Sequence, residues 1–156
     1  MDIIEEIIGR ILRERNMTIS LAESCTGGLI GSRITDVPGS SEYLYAGVVC
    51  YSNRAKIDIL GVPEKIIKEY GAVSSETASY MAEGVRKIAH TDIGLAVTGI
   101  AGPGGGSREK PVGSVYIAIS IGEKRESEYH KFDGDRKTIK LQSSEMALNI
   151  LRRYLG

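Results

Sequence analysis

The segment MTISLAESCTGGLIGSRITDV (residues 17–37) contains the pattern that decides the fold. Its first eight residues, MTISLAES, predict a short strand. After that strand, Leu29, Ile30 and Ile34 recur at the spacing of one helix face, so we predict a helix over residues 25–37. A strand that runs directly into a helix is typical of α/β proteins.

Strands and helices alternate along the rest of the chain. EYLYAGVVCYS (residues 42–52) is rich in β-branched and aromatic residues and predicts a strand. The strands are mostly apolar, which is typical of a sheet covered on both faces. We therefore predict one domain over residues 1–156, a three-layer α/β/α sandwich around a mostly parallel, mixed sheet. The other predicted helices cover residues 3–12, 53–60, 63–70, 75–89 and 135–156, and the other predicted strands cover residues 93–99, 112–120 and 127–134.

Glycine is the unusual component of the composition. The chain has 19 glycines among 156 residues, about 12%, against a usual share of about 7%. Hydrophobic residues make up 42% and charged residues 26%, and these globular values exclude collagen-like and disordered chains. Five glycines fall within eight residues and need a local explanation: Gly99, Gly102, Gly104, Gly105 and Gly106.

The charges and cysteines exclude several classes of function. The 20 Lys plus Arg balance the 20 Asp plus Glu, and without a basic excess we expect no nucleic-acid partner. No apolar stretch approaches the roughly 20 residues of a membrane span. The N-terminus, MDIIEEIIGRILRER, carries acids where a secretory signal carries positive charge. Cys25 and Cys50 form no zinc motif, so we expect reduced thiols in a cytoplasmic protein without a membrane partner.

The first segment that could carry chemistry is AESCTGG, residues 22–28. It lies where the predicted strand meets the predicted helix, and ligands of open α/β sheets bind outside the carboxyl ends of strands. Ser24 or Cys25 would lie in the first helical turn, where free N–H groups and the helix dipole stabilise an anion or an oxyanion. Gly27 and Gly28 would let the backbone approach a ligand closely. A serine that only caps the helix is an equally common reason for this pattern.

The second segment is GVVCYSNRAK, residues 47–56. Tyr51 ends the predicted strand, and Lys56 follows in the first turn of the next helix, where the dipole disfavours a cation. The same field would lower the pKa of Lys56, and a neutral amine can act as a general base. A solvated surface lysine is the more common alternative.

The third segment is VTGIAGPGGGSREKPVG, residues 97–113, in which Thr98 stands at a strand end before the glycines. GPGGG lacks the Gly-Lys-Ser/Thr ending of a P-loop and the spacing of a dinucleotide-binding turn. Its backbone N–H groups could still surround a phosphate. A mobile loop is the alternative, and Arg108 and Lys110 add positive charge in either case.

Histidine chemistry is disfavoured. His90 and His130 lie apart, with no cysteine or paired acid at ligand spacing, so we predict no metal site. Neither belongs to a Ser-His-acid arrangement, so a serine nucleophile would need another base, and lysine is the known variant. Cys25 is the alternative nucleophile, because a helix start lowers a thiol pKa, but no histidine is placed to activate it.

Five segments together resemble one protein family. AESCTGG, PGSSEYLYAGVVCYSNRAK, GAVS (residues 71–74), VTGIAGPGGG and KPVGSVY are similar to motifs of the CinA C-terminal domain family, the competence-damage-inducible proteins. Active members of that family are nicotinamide-nucleotide amidohydrolases. The resemblance therefore implies hydrolysis of the carboxamide of nicotinamide mononucleotide (NMN) to nicotinic acid mononucleotide and ammonia. It also implies no metal or organic cofactor, and a stand-alone chain without the molybdopterin-binding-like domain of longer members.

The resemblance also assigns the site residues. The family's catalytic serine, tyrosine and lysine fall on Ser24, Tyr51 and Lys56. Its substrate-contacting positions fall on Ser41, Thr98 and Arg136. The nucleotide substrate is thus the expected small-molecule partner, and we also expect a homo-oligomer.

The chemistry of these residues predicts a mechanism. Ser24 would attack the amide carbon while Lys56 takes its proton, directly or through Tyr51. The amides of residues 25–27 would stabilise the oxyanion, and Tyr51 would relay a proton to the leaving ammonia. Arg136 and the glycine loop would hold the phosphate. The glycines predicted at the substrate are Gly27, Gly102, Gly104 and Gly105. A nucleotide-binding module without catalysis is the alternative function.

Overall fold

The computed structural model describes residues 1–156 and contains six α-helices and five β-strands. The helices are α1 (Ile4–Glu14), α2 (Leu29–Thr35), α3 (Asn53–Asp58), α4 (Glu64–Tyr70), α5 (Ser75–Ala89) and α6 (Arg136–Leu155). The strands are β1 (Ile19–Glu23), β2 (Leu44–Val49), β3 (Ile93–Gly99), β4 (Ser114–Ile121) and β5 (Lys124–Lys131), and a 3-10 helix covers Ser40–Glu42. None of the helices combines the length and the hydropathy needed to cross a membrane.

The five strands form one mixed sheet in the order β2-β1-β3-β4-β5. β1 pairs in parallel with both β2 and β3, so that Ala22 lies between Val48 and Ala96. The β3–β4 and β4–β5 pairs are antiparallel. Helices pack on both faces, and the predicted single-domain α/β fold with a mixed sheet is confirmed. Because β1, β2 and β3 run in the same direction, their carboxyl ends meet at one edge, where a ligand site is expected.

The two faces of the sheet differ in the size of their side chains. On one face, large aliphatic side chains such as Leu21 and Leu95 pack in a core with α1, α2 and α6. On the other face, the alternate residues are small, as at Ala22 and Ala96, and α5 lies against them. Successive residues of a strand point to opposite faces, so this division follows from the period of two in β1 and β3.

Helix α5 packs closely against the sheet at Gly94 and against the loop after α3 at Gly84, because these two glycines leave room for it. A Cβ on Gly94 would stand 2.1 Å from the carbonyl oxygen of Ala82, and one on Gly84 would stand 2.0 Å from that of Leu60. No side chain fits at either glycine while the backbones keep these positions. At its start, α5 is capped by Ser74, whose side chain accepts from the N–H of Thr77.

Helix α2 begins at Leu29, so the prediction of a helix from Cys25 is wrong at this end. Gly27 and Gly28 have φ angles of 61° and 104°, and this left-handed conformation interrupts a right-handed helix. Ser24 therefore neither caps a helix nor lies in its first turn. It lies in the tight turn between β1 and α2.

Strand β5 begins at Lys124, three residues before the predicted start at residue 127. A two-residue turn, Gly122 and Glu123, joins it directly to β4. The first residues of β5 are charged, so they lack the apolar pattern on which the prediction depended. An edge strand tolerates such residues, and charges there also discourage pairing with other chains.

Candidate active site

A cavity of about 170 Å³ opens at the carboxyl edge of β1, β2 and β3. Five of the residues predicted for the site line it together: Ser24, Tyr51, Lys56, Thr98 and Arg136. They come from the turn after β1, the loop and helix after β2, the end of β3 and the start of α6. No carboxylate lines the cavity, whereas Arg136 is cationic and Lys56 is cationic when protonated, so the cavity favours an anionic ligand.

A wider depression of about 570 Å³ lies at the opposite edge of the sheet, with no hydrophobic residue in its lining. Several of its cations are already engaged: Glu83 pairs with Lys87 and Arg125, and Arg86 donates to Ser120. Small-molecule sites are lined mostly by apolar groups with a few polar ones. The smaller cavity, whose lining is mixed, is therefore the better candidate.

The centre of the smaller cavity is a contact between Ser24 and Lys56. The Nζ atom of Lys56 lies 2.9 Å from the Oγ atom of Ser24. Both side chains are buried, with Lys56 1% and Ser24 7% exposed. The alternative of a solvated surface lysine is therefore wrong, and the amine is placed to exchange a proton with the hydroxyl.

Lys56 has three hydrogen-bond partners, and their chemistry sets the direction of each bond. Its Nζ atom lies 3.0 Å from the carbonyl oxygen of Cys50 and 3.1 Å from that of Tyr51. Carbonyl oxygens only accept, so the two N–H groups of a neutral amine donate to them and its lone pair is left for the O–H of Ser24. A protonated amine donates to all three oxygens. The site thus accommodates both protonation states of Lys56.

Burial lowers the pKa of Lys56 below the ordinary value for lysine, because the charged form loses its hydration. The thiols of Cys50 and Cys25 act in the opposite direction with a smaller effect. The sequence suggested the dipole of the helix as the cause, whereas the structure assigns the shift mainly to burial. A lowered pKa increases the fraction of neutral amine near neutral pH, and the neutral amine is the form that removes a proton.

The loop between β2 and α3 places Lys56 against the end of β1. The N–H of Cys50 donates to the carbonyl oxygen of Glu23 at 2.9 Å, which extends the pairing of β2 with β1 beyond the last residue of β2. Ser52 then caps α3 by accepting from the N–H of Ala55 at 3.1 Å. The chain therefore turns back sharply, and the first turn of α3 carries Lys56 into the cavity.

Ser24 begins a turn that presents free backbone N–H groups. Its own N–H donates to the carbonyl oxygen of Val97 at 3.0 Å, and its carbonyl oxygen accepts from the N–H of Gly27 at 3.0 Å. The amide of Gly27 is therefore engaged, which removes it from the predicted oxyanion donors. The N–H groups of Cys25 and Thr26 donate to no backbone oxygen of the protein, and Cys25 lines the cavity, so its N–H is the better placed of the two for a ligand.

Glu23, the last residue of β1, holds this turn from the inside. Its side chain is buried, and its carboxylate accepts from the hydroxyl of Thr26 at 2.7 Å and from the N–H groups of Ile30 and Gly31, each at 2.9 Å. It supplies the acceptor that the unpaired N–H groups at the start of α2 need. Glu23 was missed from the sequence, because its capping role shows only once the true start of α2 is known.

Tyr51 and Arg136 meet at the exposed side of the cavity. One N–H group of Arg136 donates to the hydroxyl of Tyr51 at 2.8 Å, and another donates to the carbonyl oxygen of Gly102 at 2.7 Å. Tyr51 is 59% exposed, and Arg136 is the hydrogen-bond partner of its hydroxyl. Of the two predicted proton routes, the direct one between Ser24 and Lys56 is therefore the one formed in this structure.

Thr98, near the end of β3, presents an acceptor to the cavity. The side chain is 1% exposed, and its hydroxyl donates to the carbonyl oxygen of Ala72 at 2.9 Å. Because the hydrogen is engaged, the oxygen keeps lone pairs for a donor on a ligand. Thr98 therefore suits a ligand that carries an N–H or O–H group.

Other lining residues were not among the predicted ones, notably Asn53, Ala72 and Val73. Ala72 and Val73 belong to the GAVS segment, and the resemblance of that segment was the only signal for them. Asn53 follows Ser52 in the sequence, and both residues are good helix caps. The sequence therefore did not show which of the two residues caps α3 and which lines the cavity.

The structure does not bring every predicted residue to the cavity wall. Ser41 is exposed in the 3-10 helix after α2. The carbonyl oxygen of Gly102 accepts from Arg136, and Gly102 lies outside the lining. The other predicted glycines are exposed and lie outside the lining: Gly27, Gly104 and Gly105. A role for these residues in substrate binding stays a prediction.

Burial disfavours Cys25 as the nucleophile. Its thiol lines the cavity, and burial raises its pKa to about 12, against smaller opposite effects that include the nearby ammonium of Lys56. The thiolate is the reactive form of cysteine. A thiol that keeps its proton is a poor nucleophile, and Lys56 contacts the hydroxyl of Ser24 rather than this thiol, so the arrangement favours Ser24.

Known proteins with similar sequences share this domain. The chain is 52% identical over 154 residues to a CinA-like protein of Syntrophus aciditrophicus, which covers 98% of this chain and 37% of that protein. It is 53% identical over 152 residues to a CinA-like protein of Geotalea daltonii, which covers 97% of this chain and 37% of that protein. The chain thus spans well under half the length of these relatives.

Solved structures agree with the sequence comparison. The competence/damage inducible protein CihA from Agrobacterium tumefaciens is 40% identical, with a TM-score of 0.89 and coverage of 100% of both chains. The competence damage-inducible protein A (ComA) from Klebsiella pneumoniae is 31% identical, with a TM-score of 0.94 and coverage of 97% of this chain and 94% of that one. The CinA C-terminal domain family matches residues 1–155 of the chain. The chain therefore belongs to the CinA C-terminal domain family.

Proposed function

We propose that this chain is an amidohydrolase that converts NMN to nicotinic acid mononucleotide and ammonia. The observation that carries the proposal is the 2.9 Å contact between Ser24 Oγ and Lys56 Nζ in a buried position. A serine with an adjacent lysine is an established nucleophile and base where no histidine is available. The choice of substrate rests on the resemblance to the nucleotide amidohydrolases of the family, and the cationic cavity supports it.

The first step forms a tetrahedral intermediate on Ser24. Ser24 Oγ attacks the carboxamide carbon, and neutral Lys56 accepts the hydroxyl proton. The negative charge that develops on the carbonyl oxygen is stabilised by the N–H group of Cys25, a residue of the cavity lining, with the N–H of Thr26 next to it in the same turn; neither N–H donates to a backbone oxygen. Loss of one such donor typically lowers the rate by about 100- to 1000-fold.

The second step releases ammonia. Protonated Lys56 donates its proton to the leaving nitrogen, the C–N bond breaks, and the acyl group remains as an ester on Ser24. Tyr51 lines the same cavity and is the second proton donor for this step. Water then attacks the ester with neutral Lys56 again as the base, which releases the carboxylic acid and restores Ser24.

Two further residues supply recognition. The oxygen of Thr98 accepts from the carboxamide N–H group, since its own hydrogen is donated to Ala72. Arg136 binds the anionic end of the substrate. Its guanidinium has five N–H donors, of which Tyr51 and Gly102 engage two, so others are free for a phosphate oxygen.

Ammonia release from NMN, measured beside nicotinamide and nicotinamide riboside, tests the proposal. We expect equimolar ammonia and nicotinic acid mononucleotide from NMN, and slower release from the two compounds that lack the phosphate. Thermal stabilisation by NMN without ammonia release would identify a nucleotide-binding module without catalysis. If NMN causes no thermal stabilisation and no ammonia is released, both functions are rejected.

A further inference from the structure

Helix α6 carries a second cation on the face that bears Arg136. Lys140 follows Arg136 by four residues, so their side chains lie one turn apart with about 6 Å between Cβ atoms. Lys140 is half-buried, whereas Lys137 on the same helix is exposed. The environment of Lys140 therefore differs from that of an ordinary solvated lysine.

The ammonium of Lys140 lies against the turn that carries Ser24. A Cβ on Gly27 would stand 3.7 Å from the Nζ atom of Lys140. Lys140 is also close enough to Cys25, which lines the cavity, to lower its thiol pKa slightly against the larger effect of burial. Glycine at position 27 leaves the space between the turn and the ammonium open.

Lys140 has no partner within the protein. Its Nζ atom takes part in none of the hydrogen bonds and ion pairs of the structure. Glu23, the acid beside this turn, is buried and already bound by three donors. By contrast, Lys56 and Arg136 are both bound to acceptors. A half-buried ammonium without a counter-ion favours an anion supplied by a ligand.

We propose that Lys140 acts with Arg136 to hold the phosphate of the mononucleotide and thereby distinguishes a nucleotide from a nucleoside. The identity of the ligand rests on the proposed function. A phosphate has three terminal oxygens, so it can bind both cations at once. Lys140 does not line the cavity in which Ser24 and Lys56 lie, and a phosphate at its ammonium therefore lies at the rim, away from the reacting carboxamide.

Binding of NMN and of nicotinamide riboside, which differ only by the phosphate, tests this role. Calorimetry on the Ser24→Ala protein measures binding without turnover. We expect Lys140→Ala to raise the Kd for NMN about 10-fold and to leave the Kd for the riboside within about 2-fold, because only NMN offers an anion to the ammonium. Lys140→Arg keeps the charge and retains most of the affinity. Lys137→Ala removes an equal charge from the exposed side of α6 and is the matched control, with both affinities unchanged.

Kinetics on the protein with Ser24 intact give a second readout. Lys140→Ala raises KM for NMN by about the same factor and leaves kcat within about 2-fold, since Lys140 lies away from the reacting atoms. Three results overturn the inference. Lys140→Ala could lose affinity for NMN and the riboside equally, it could lose affinity for neither, or the protein could fail to bind NMN at all.

The two proposals fail in different ways. Lys140-dependent NMN binding without ammonia release rejects the amidohydrolase and keeps the phosphate site. Ammonia release with NMN affinity independent of Lys140 rejects only the phosphate site.

Discussion

The Nζ atom of Lys56 lies 2.9 Å from the Oγ atom of Ser24, although 32 residues separate them along the chain. They meet because β1 and β2 are neighbouring parallel strands that end at the same edge of the sheet. Antiparallel neighbours would place the two strand ends at opposite edges. The contact is therefore a consequence of the sheet topology, and the proposed chemistry depends on it.

The pH dependence of hydrolysis reports the protonation state of Lys56. Because burial lowers its pKa, we expect kcat/KM to rise with pH and reach a plateau, with a midpoint below the ordinary lysine value of about 10.4. Lys56→Arg keeps a permanently charged group and should lower activity by at least about 100-fold at every pH. A pH profile of ammonia release measures both effects. A midpoint at or above the ordinary lysine value would contradict the assignment of Lys56 as the base.

The same pKa shift predicts how stability changes with pH. Between the lowered pKa of folded Lys56 and the ordinary value of about 10.4 in the unfolded chain, the unfolded state binds more protons, so folding becomes more favourable as pH rises. Lys56→Met removes this effect. Urea unfolding at pH 7, 8.5 and 10 should therefore show the wild type gaining stability relative to Lys56→Met as pH rises. Exposed Lys65→Met is the control, and its difference from wild type should stay constant. A constant difference for Lys56→Met as well would mean that its pKa is not lowered.

Glu23 is expected to matter for both stability and rate. In Glu23→Gln one side-chain oxygen can still accept, but the NH2 group that replaces the other must face a donor: the N–H of Gly31, or the hydroxyl of Thr26 and the N–H of Ile30. We expect a loss of about 1–3 kcal/mol in the free energy of unfolding and a lower kcat, because the turn with Ser24 loosens. Urea unfolding and ammonia release measure these losses, and exposed Glu14→Gln should change neither. Unaltered stability in Glu23→Gln would show that the buried carboxylate does not hold the turn.

Tyr51→Phe separates the phenol from the backbone of the same residue. The carbonyl oxygen that accepts from Lys56 remains, while the hydroxyl that binds Arg136 is lost. We expect kcat to fall by about 100-fold. This is at the low end of the rate losses typical for removal of a general acid, because protonated Lys56 still supplies a proton to the leaving group. Tyr45→Phe, on an exposed tyrosine of β2, is the matched control. Wild-type kcat in Tyr51→Phe would show that Lys56 alone serves the leaving group.

Local signals in the sequence predicted the elements that depend on local interactions. Helix α5 covers residues 75–89 as predicted, because the Ser74 cap and the acid in the first turn are read from adjacent residues. The start of α2 was wrong, since two glycines adopt left-handed conformations that the apolar spacing does not reveal. Charged β5 was placed late, because only its pairing with β4 defines its first residues.

The sequence predicted several of the residues that line the site, but it did not predict the contacts between them. Ser24, Tyr51 and Thr98 were each placed near a strand end, and strand ends of a parallel sheet converge. The sequence left open whether Lys56 was buried or solvated, because its burial depends on which strands are neighbours. The role of Glu23 and the approach of Lys140 to Gly27 were hidden for the same reason, since both depend on packing between distant segments.

The most direct test of the serine–lysine mechanism is the rate of ammonia release from NMN by Ser24→Ala and Lys56→Ala. Ser32→Ala and Lys65→Ala, on exposed positions, serve as matched controls, and cooperative unfolding shows that each variant is folded. We expect both active-site variants to lose at least about 1000-fold in kcat, because each removes one member of a pair that works as a unit, while the controls keep wild-type rates. Wild-type ammonia release by folded Ser24→Ala or folded Lys56→Ala would contradict the mechanism.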